Sequence, residues 1–234
     1  MTARTFVFIV CSLSGRVGKT MTARLLGDYY LASRRSFRGF DTDAHEPGFA
    51  LRFPDRVAIA DLNTIQGQMA LIDPLLADDG VPKIVDLWHR TLEPFFALID
   101  NTGFVTEALA RGVEPVLLYV DDGTPRTEEV TARIAERYPD LRLILVENEI
   151  VDREATGESS VPQAARSFRI GKLDPTLRAT IDEPGFSLSG FMLAPPPDMS
   201  IVLRAALRDW VWRIFSQFKS FELRMTLSET EHLG

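Results

Sequence analysis

The residues with the plainest chemistry in this chain form one heptapeptide, Ser14-Gly15-Arg16-Val17-Gly18-Lys19-Thr20. Its two glycines can let backbone N–H groups curl around a phosphate. The lysine after the second can reach the outer phosphate oxygens, and the neighbouring hydroxyl can hold Mg²⁺. Residues 6–11, FVFIVC, are apolar without alternation, the pattern of a strand covered on both faces. Downstream, Leu25, Leu26 and Tyr29 share one face of a helix whose N-terminal dipole would add to the same anion site. Strand, glycine-bearing turn and helix in that order make a phosphate loop. Read as an ordinary strand-to-helix turn, the segment leaves Lys19 opposing the helix dipole unless an anion sits there.

The common pattern G-x-x-x-x-G-K-[ST] has glycine where this chain has Leu13. The loop instead resembles the deviant phosphate loop of the ParA/MinD-like ATPases, relatives of the CobQ and dethiobiotin synthetase groups, whose pattern is K-G-G-x-G-K-[ST]. That resemblance implies ATP and Mg²⁺ as cofactors, with Ser14, Gly15, Arg16, Val17, Gly18, Lys19 and Thr20 around the phosphates. It also implies an ATP-dependent homodimer. Two positions depart from the pattern. Ser14 replaces the lysine that in the family crosses to the partner's nucleotide. Arg16 replaces the second glycine, so that a cation two residues on either supplies the missing charge or fills the interface.

Further landmarks follow in family order. Residues 37–43, FRGFDTD, read as a short strand ending in two carboxylates and resemble the family's D-x-D. The resemblance makes Asp43 the acid near the attacking water, placed also on the metal side, and Asp41 a supporting acid. Read alone, the pair is also an ordinary turn signal. Residues 81–87, VPKIVDL, form an apolar strand ending in Asp86, which is either the carboxylate that holds Mg²⁺ opposite Thr20 or a helix N-cap. Residues 113–120 give a fourth strand, followed by a helix over 126–138 that Thr124-Pro125 opens. A fifth strand over 141–146 leads to Asn148. In the family an Asn here reads the adenine edge, a task suited to an amide that both donates and accepts; a turn role is the alternative.

These pieces need a frame that brings them to one edge. Strands alternating with helices in 234 residues of 45% apolar content call for a single α/β domain over residues 1–234. Its expected architecture is a three-layer P-loop NTPase fold with a mainly parallel sheet flanked by helices. The lone cysteine, Cys11, lies in the first strand and reads as a packed core residue. With no leader pattern or long apolar span at the start, a cytoplasmic location is expected. His45, His89 and His232 have no metal-ligand spacing. A net charge of −7 argues against a broad nucleic-acid surface, and Arg34, Arg35 and Arg38 suit a helix C-terminus better than a DNA contact. Residues 152–163 read as a flexible segment and 167–173 as another strand.

A helix over residues 199–223 aligns Leu203, Leu207, Trp210, Val211, Ile214, Phe218 and Phe221 on one face, spacing that packs against a sheet. Trp212 and Phe215 widen that arc enough to admit a protein partner, or less favourably a membrane surface. The function implied is an ATP-binding, slowly hydrolysing nucleotide switch. Its rivals are a dethiobiotin synthetase-like ATP-dependent enzyme and a nucleotide sensor that does not hydrolyse.

Overall fold

A computed structural model describes residues 5–149 and 166–227 of the chain. Its elements in chain order are β1 (Thr5–Cys11), α1 (Lys19–Ala32), β2 (Arg38–Asp41), α2 (Gly48–Arg52), β3 (Val57–Ile59), α3 (Ile65–Leu75) and β4 (Lys83–Asp86). After a 3₁₀ turn at His89–Thr91 come α4 (Leu92–Thr102), α5 (Phe104–Ala110), β5 (Val113–Val120), α6 (Arg126–Arg137) and β6 (Arg142–Asn148). Then follow β7 (Arg166–Ile170), α7 (Pro175–Asp182), α8 (Leu188–Leu193) and α9 (Ile201–Leu227). Residues 152–163 and His232, singled out in the sequence, lie outside the described residues.

The seven strands pair in the order β3-β2-β4-β1-β5-β6-β7, and every pairing is parallel. β1 is central, which is why all its residues are buried and its sequence does not alternate. Alternate side chains of one strand point to opposite faces. Phe6, Phe8 and Val10 accordingly join a core with α1, α8 and α9, while Val7, Ile9 and Cys11 join a second core with α3, α4 and α5. This is the expected three-layer α/β fold. Burial pushes the Cys11 thiol up to about 12 against the opposing pull of Lys19, keeping it a neutral core group.

The last helix is held by packing. Phe221 meets Phe8 and Phe168, and Phe215 and Phe218 meet Tyr29 edge-on. Glu222 accepts from Tyr29 Oη at 2.7 Å, Tyr30 Oη at 2.9 Å and Arg35 Nη1 at 2.8 Å, tying α9 to the end of α1. Arg35, one of the three clustered arginines, is thus engaged within the fold. Phe215, read as surplus to the apolar stripe, is buried, whereas Trp212 is 62% exposed. Among the described residues no helix is long and apolar enough to cross a membrane.

Several boundaries differ from the sequence expectation: the last helix, expected over 199–223, is Ile201–Leu227, and the strand expected over 167–173 is Arg166–Ile170. β6 runs two residues further than 146, so Asn148 is the last residue of the strand rather than part of a turn. β3, Val57-Ala58-Ile59, is a three-residue apolar run with two of its residues exposed, shorter than the runs that mark the other strands, and the sequence reading does not include it.

Candidate functional site

Because the strands are parallel, their C-terminal ends share one edge, and the loops that leave them meet there. Asp86 ends β4 level with Asp41 of β2 and Val10 of β1. The phosphate loop leaves β1 just beyond this point and enters α1 at Lys19. Gly18, the residue before the helix, has φ 96°, a left-handed conformation that glycine adopts without strain. Arg16 also lies in the left-handed region, φ 61°, with its side chain exposed. The chain therefore keeps a glycine-like backbone where the family pattern has glycine, at a cost of roughly 1–3 kcal/mol.

Lys19 is 7% exposed, and its Nζ donates to the Ser14 carbonyl at 2.7 Å, so the ammonium closes the loop from within. Burial pushes its pKa down, while Asp86 and then the Cys11 sulfur pull it up. The Ser14 hydroxyl donates to Asp122 Oδ2 at 2.5 Å. Asp122, in the loop after β5, also takes the Thr124 N–H and the Thr124 and Thr127 hydroxyls on its other oxygen. Leu13 N–H donates to Tyr119 Oη at 3.3 Å. The start of the phosphate loop is thus moored to the end of β5.

Its far side is moored by Asn148. That side chain is buried, and its Nδ2 donates to the Val17 carbonyl at 2.9 Å. The amide expected to read a base is placed beneath the phosphate loop, against its backbone.

The acids divide by what they touch. Asp41 accepts from Asp43 N–H on Oδ1, and from Phe49 and Ala50 N–H on Oδ2 at 2.9 and 3.2 Å, so it seats the start of α2. Burial pushes its pKa up against those three bonds. Asp43 is less buried, and its Oδ1 accepts from His45 and Glu46 N–H in a tight turn. Asp86 is 5% exposed and hydrogen-bonded to the Thr20 hydroxyl. Burial pushes it up to about 7, with Thr20 and Lys19 pulling down and Asp41 and Asp43 pushing up. A hydroxyl and a buried carboxylate facing one another beside a phosphate loop suit a hard cation that takes its other ligands from water and phosphate. Among the described residues no three His, Cys, Asp or Glu side chains gather as a ready-made metal cage.

Thr42 stitches the two acidic loops together. Its hydroxyl accepts from Trp88 N–H at 2.8 Å and lies 3.0 Å from the Thr91 hydroxyl, while its own N–H donates to the Asp86 carbonyl. The structure thus brings Lys19, Thr20, Asp41, Asp43 and Asp86 to one edge, supports the loop from below with Asn148, and leaves Arg16 on the outside. Sequence reading missed Thr42, Tyr119, Asp122 and the placement of His89. Only Asp122 carried a local signal, as the first residue of a D-G-T-P turn.

No family model matches the chain, and no curated protein matches it. Among solved structures it is similar to a nucleotide-binding protein from Archaeoglobus fulgidus in complex with ADP, with TM-score 0.47 at 16% identity over 74% of this chain and 84% of that one. It is also similar to a ParA family ATPase from Chlorobium tepidum TLS, with TM-score 0.45 at 13% identity over 90% of this chain and 98% of that one.

Proposed function

We propose that this protein binds ATP with Mg²⁺ and works as a slow ATPase switch of the ParA/MinD-like kind. The observation that carries this reading is the buried Lys19 inside a glycine-turned loop, with the Thr20–Asp86 pair beside it. A lysine at a helix start opposes the helix dipole, and although the Ser14 carbonyl and Asp86 now hold this one, an anion bound at the helix N-terminus would relieve the opposition. In this reading Lys19 exchanges the Ser14 carbonyl for phosphate oxygens, and the loop N–H groups surround the same group. Thr20 and Asp86 hold Mg²⁺, which neutralises charge on the outer phosphates. Asp43 orients the attacking water, and Asp41 holds its loop in place. Asn148 acts on the loop rather than on the base. Association with a second copy in the ATP state belongs to the same proposal, with the exposed Arg16 as the cation nearest the loop's outer side.

One observation favours the sensor alternative as a second reading. The Ser14 hydroxyl is bound to Asp122 of its own chain and carries no charge toward a partner's nucleotide. Nucleotide binding and phosphate release measured on the same sample, with oligomeric state followed with and without ATP, separate the two. Binding with turnover and ATP-dependent association supports the switch. Binding without phosphate release supports the sensor, and absence of binding overturns both.

A further inference from the structure

His89 has no metal-ligand spacing in the sequence, yet the fold puts it over the phosphate loop. Leu87, the first residue of the loop after β4, is fully buried and its N–H donates to the Val10 carbonyl at 2.9 Å. Trp88 N–H is fixed on Thr42, and the Thr91 hydroxyl donates to the Trp88 carbonyl at 2.9 Å. His89 opens the 3₁₀ turn between these anchors, so its direction is set on both sides. A methyl group at Gly15 would stand 3.3 Å from His89 Cε1 and 3.4 Å from Nδ1. The imidazole therefore lies in contact range of the loop's first glycine, where an added methyl group would press on the ring.

The ring is also held from outside. Trp88 meets it edge-on at 5.6 Å between centroids, His45 meets the same Trp88 at 6.1 Å, and Arg90 lies 5.3 Å over the indole. His45 comes from the loop after β2 and Trp88 from the loop after β4. The stack thus joins the two acidic loops at the mouth of the site. The charges that face the imidazole are Lys19 and Arg90, which with burial push its pKa down, and Asp43, which pulls it up. Lys19 and Asp43 are the residues assigned above to the outer phosphate and to the attacking water. With its ring against Gly15 of the loop that carries Lys19, His89 stands beside the place where a terminal phosphate would arrive.

We propose that His89 contacts the terminal phosphate of a bound nucleoside triphosphate in its own chain, donating an imidazole N–H to a phosphate oxygen and so distinguishing triphosphate from diphosphate. The inference rests on the nucleotide-binding reading and goes beyond it by naming a residue that reads the number of phosphates. Neutral imidazole suffices as the donor, because one ring nitrogen always carries a proton. An arriving phosphate opposes the Lys19 and Arg90 charges and favours the protonated ring, which strengthens the bond. The same contact joins both acidic loops to the nucleotide through the His45–Trp88–His89 stack, so the loops report which nucleotide is bound.

Calorimetry with Mg²⁺ and either ADP or a non-hydrolysable ATP analogue tests this on the full chain. His89→Ala should lower affinity for the triphosphate analogue about tenfold, in line with loss of one charge-assisted hydrogen bond. Affinity for ADP should stay at the parent value. His89→Gln, which keeps an N–H donor, should recover part of the preference. An unchanged ratio of the two affinities in His89→Ala overturns the proposal, and so does an equal loss for both nucleotides, which would make His89 a structural support. A parent protein that binds neither nucleotide overturns the underlying reading instead, a result visible before any variant is made.

Discussion

Asn148 and Gly18 are fitted to one another: a Cβ at Gly18 would stand 1.9 Å from Asn148 Nδ2, which donates instead to the neighbouring Val17 carbonyl. Only glycine satisfies both the left-handed φ at this residue and the close approach of the amide. The last residue of β6 therefore acts on a loop that leaves β1, across the intervening β5. Parallel order makes this possible, because the C-terminal ends of β1, β5 and β6 lie side by side.

Asn148→Ala should then loosen the loop rather than change base preference. Loss of one hydrogen bond, with the Val17 carbonyl left without this donor, should cost about 1–3 kcal/mol of stability in denaturant titration. Affinities for ATP and GTP should fall by the same factor. A selective loss of ATP over GTP would return the side chain to the base-reading role that the family resemblance implied.

The phosphate and metal groups separate in their kinetics. Lys19→Ala should weaken nucleotide binding by about 1.5–3 kcal/mol, the scale of a hydrogen bond to a charged group. Asp43→Ala should bind ATP and lose turnover, whereas Asp86→Ala should bind with a weaker dependence on Mg²⁺. Parent rates of phosphate release in both aspartate variants would remove these assignments.

Asp86 also gives a pH signature to the nucleotide-free protein. Burial raises its pKa to about 7, above the ordinary carboxylate value of 3.8, so between those values the folded state holds a proton that the unfolded chain releases. Its contribution is therefore fully present below about pH 4 and is lost as pH rises to about 7. The slope from this group approaches 1.4 kcal/mol per pH unit within that window. Asp41 and Asp28, both raised by burial, act in the same direction. Asp86→Asn should flatten the fall in melting temperature between pH 4 and 7. Equal slopes for variant and parent would show that Asp86 titrates as an ordinary carboxylate.

What the sequence made legible and what it did not follow from range. β1 and β5 are buried on both faces, and apolar runs, interrupted in β5 only by Glu114 and Pro115, marked them almost to the residue. The glycine and lysine of the phosphate loop are local in sequence, as are Asp41, Asp43 and Asp86 at strand ends, so their arrival at one edge follows once the sheet is parallel. The moorings of that loop are not local. Ser14 meets Asp122 and Gly15 meets His89 only after the chain has wound through the sheet, and no spacing rule announces such pairs. The excess apolar width of α9 was legible, but that Phe215 is buried against Tyr29 of α1 while Trp212 stays exposed depended on which aromatic partners other elements supply.

Arg16 tests the departure from the family pattern. A non-glycine residue at φ 61° on an exposed loop carries strain that its side chain does not need for packing, which points to a use for the charge. Arg16→Gly removes the charge while preserving, and easing, the backbone. It should raise stability slightly while lowering turnover or ATP-dependent association, read by phosphate release and by sedimentation with and without ATP. Adding Ser14→Lys should restore part of the loss, because a cation returns two residues upstream. Recovery should be partial for two reasons. Lysine lacks the planar fork with which arginine grips phosphate, and Asp122, now the acceptor of the Ser14 hydroxyl, would compete for the new ammonium. Replacing Asp122 by Asn in that background should release the lysine and increase the recovery. Parent turnover and association in Arg16→Gly would leave Arg16 without a part in the site.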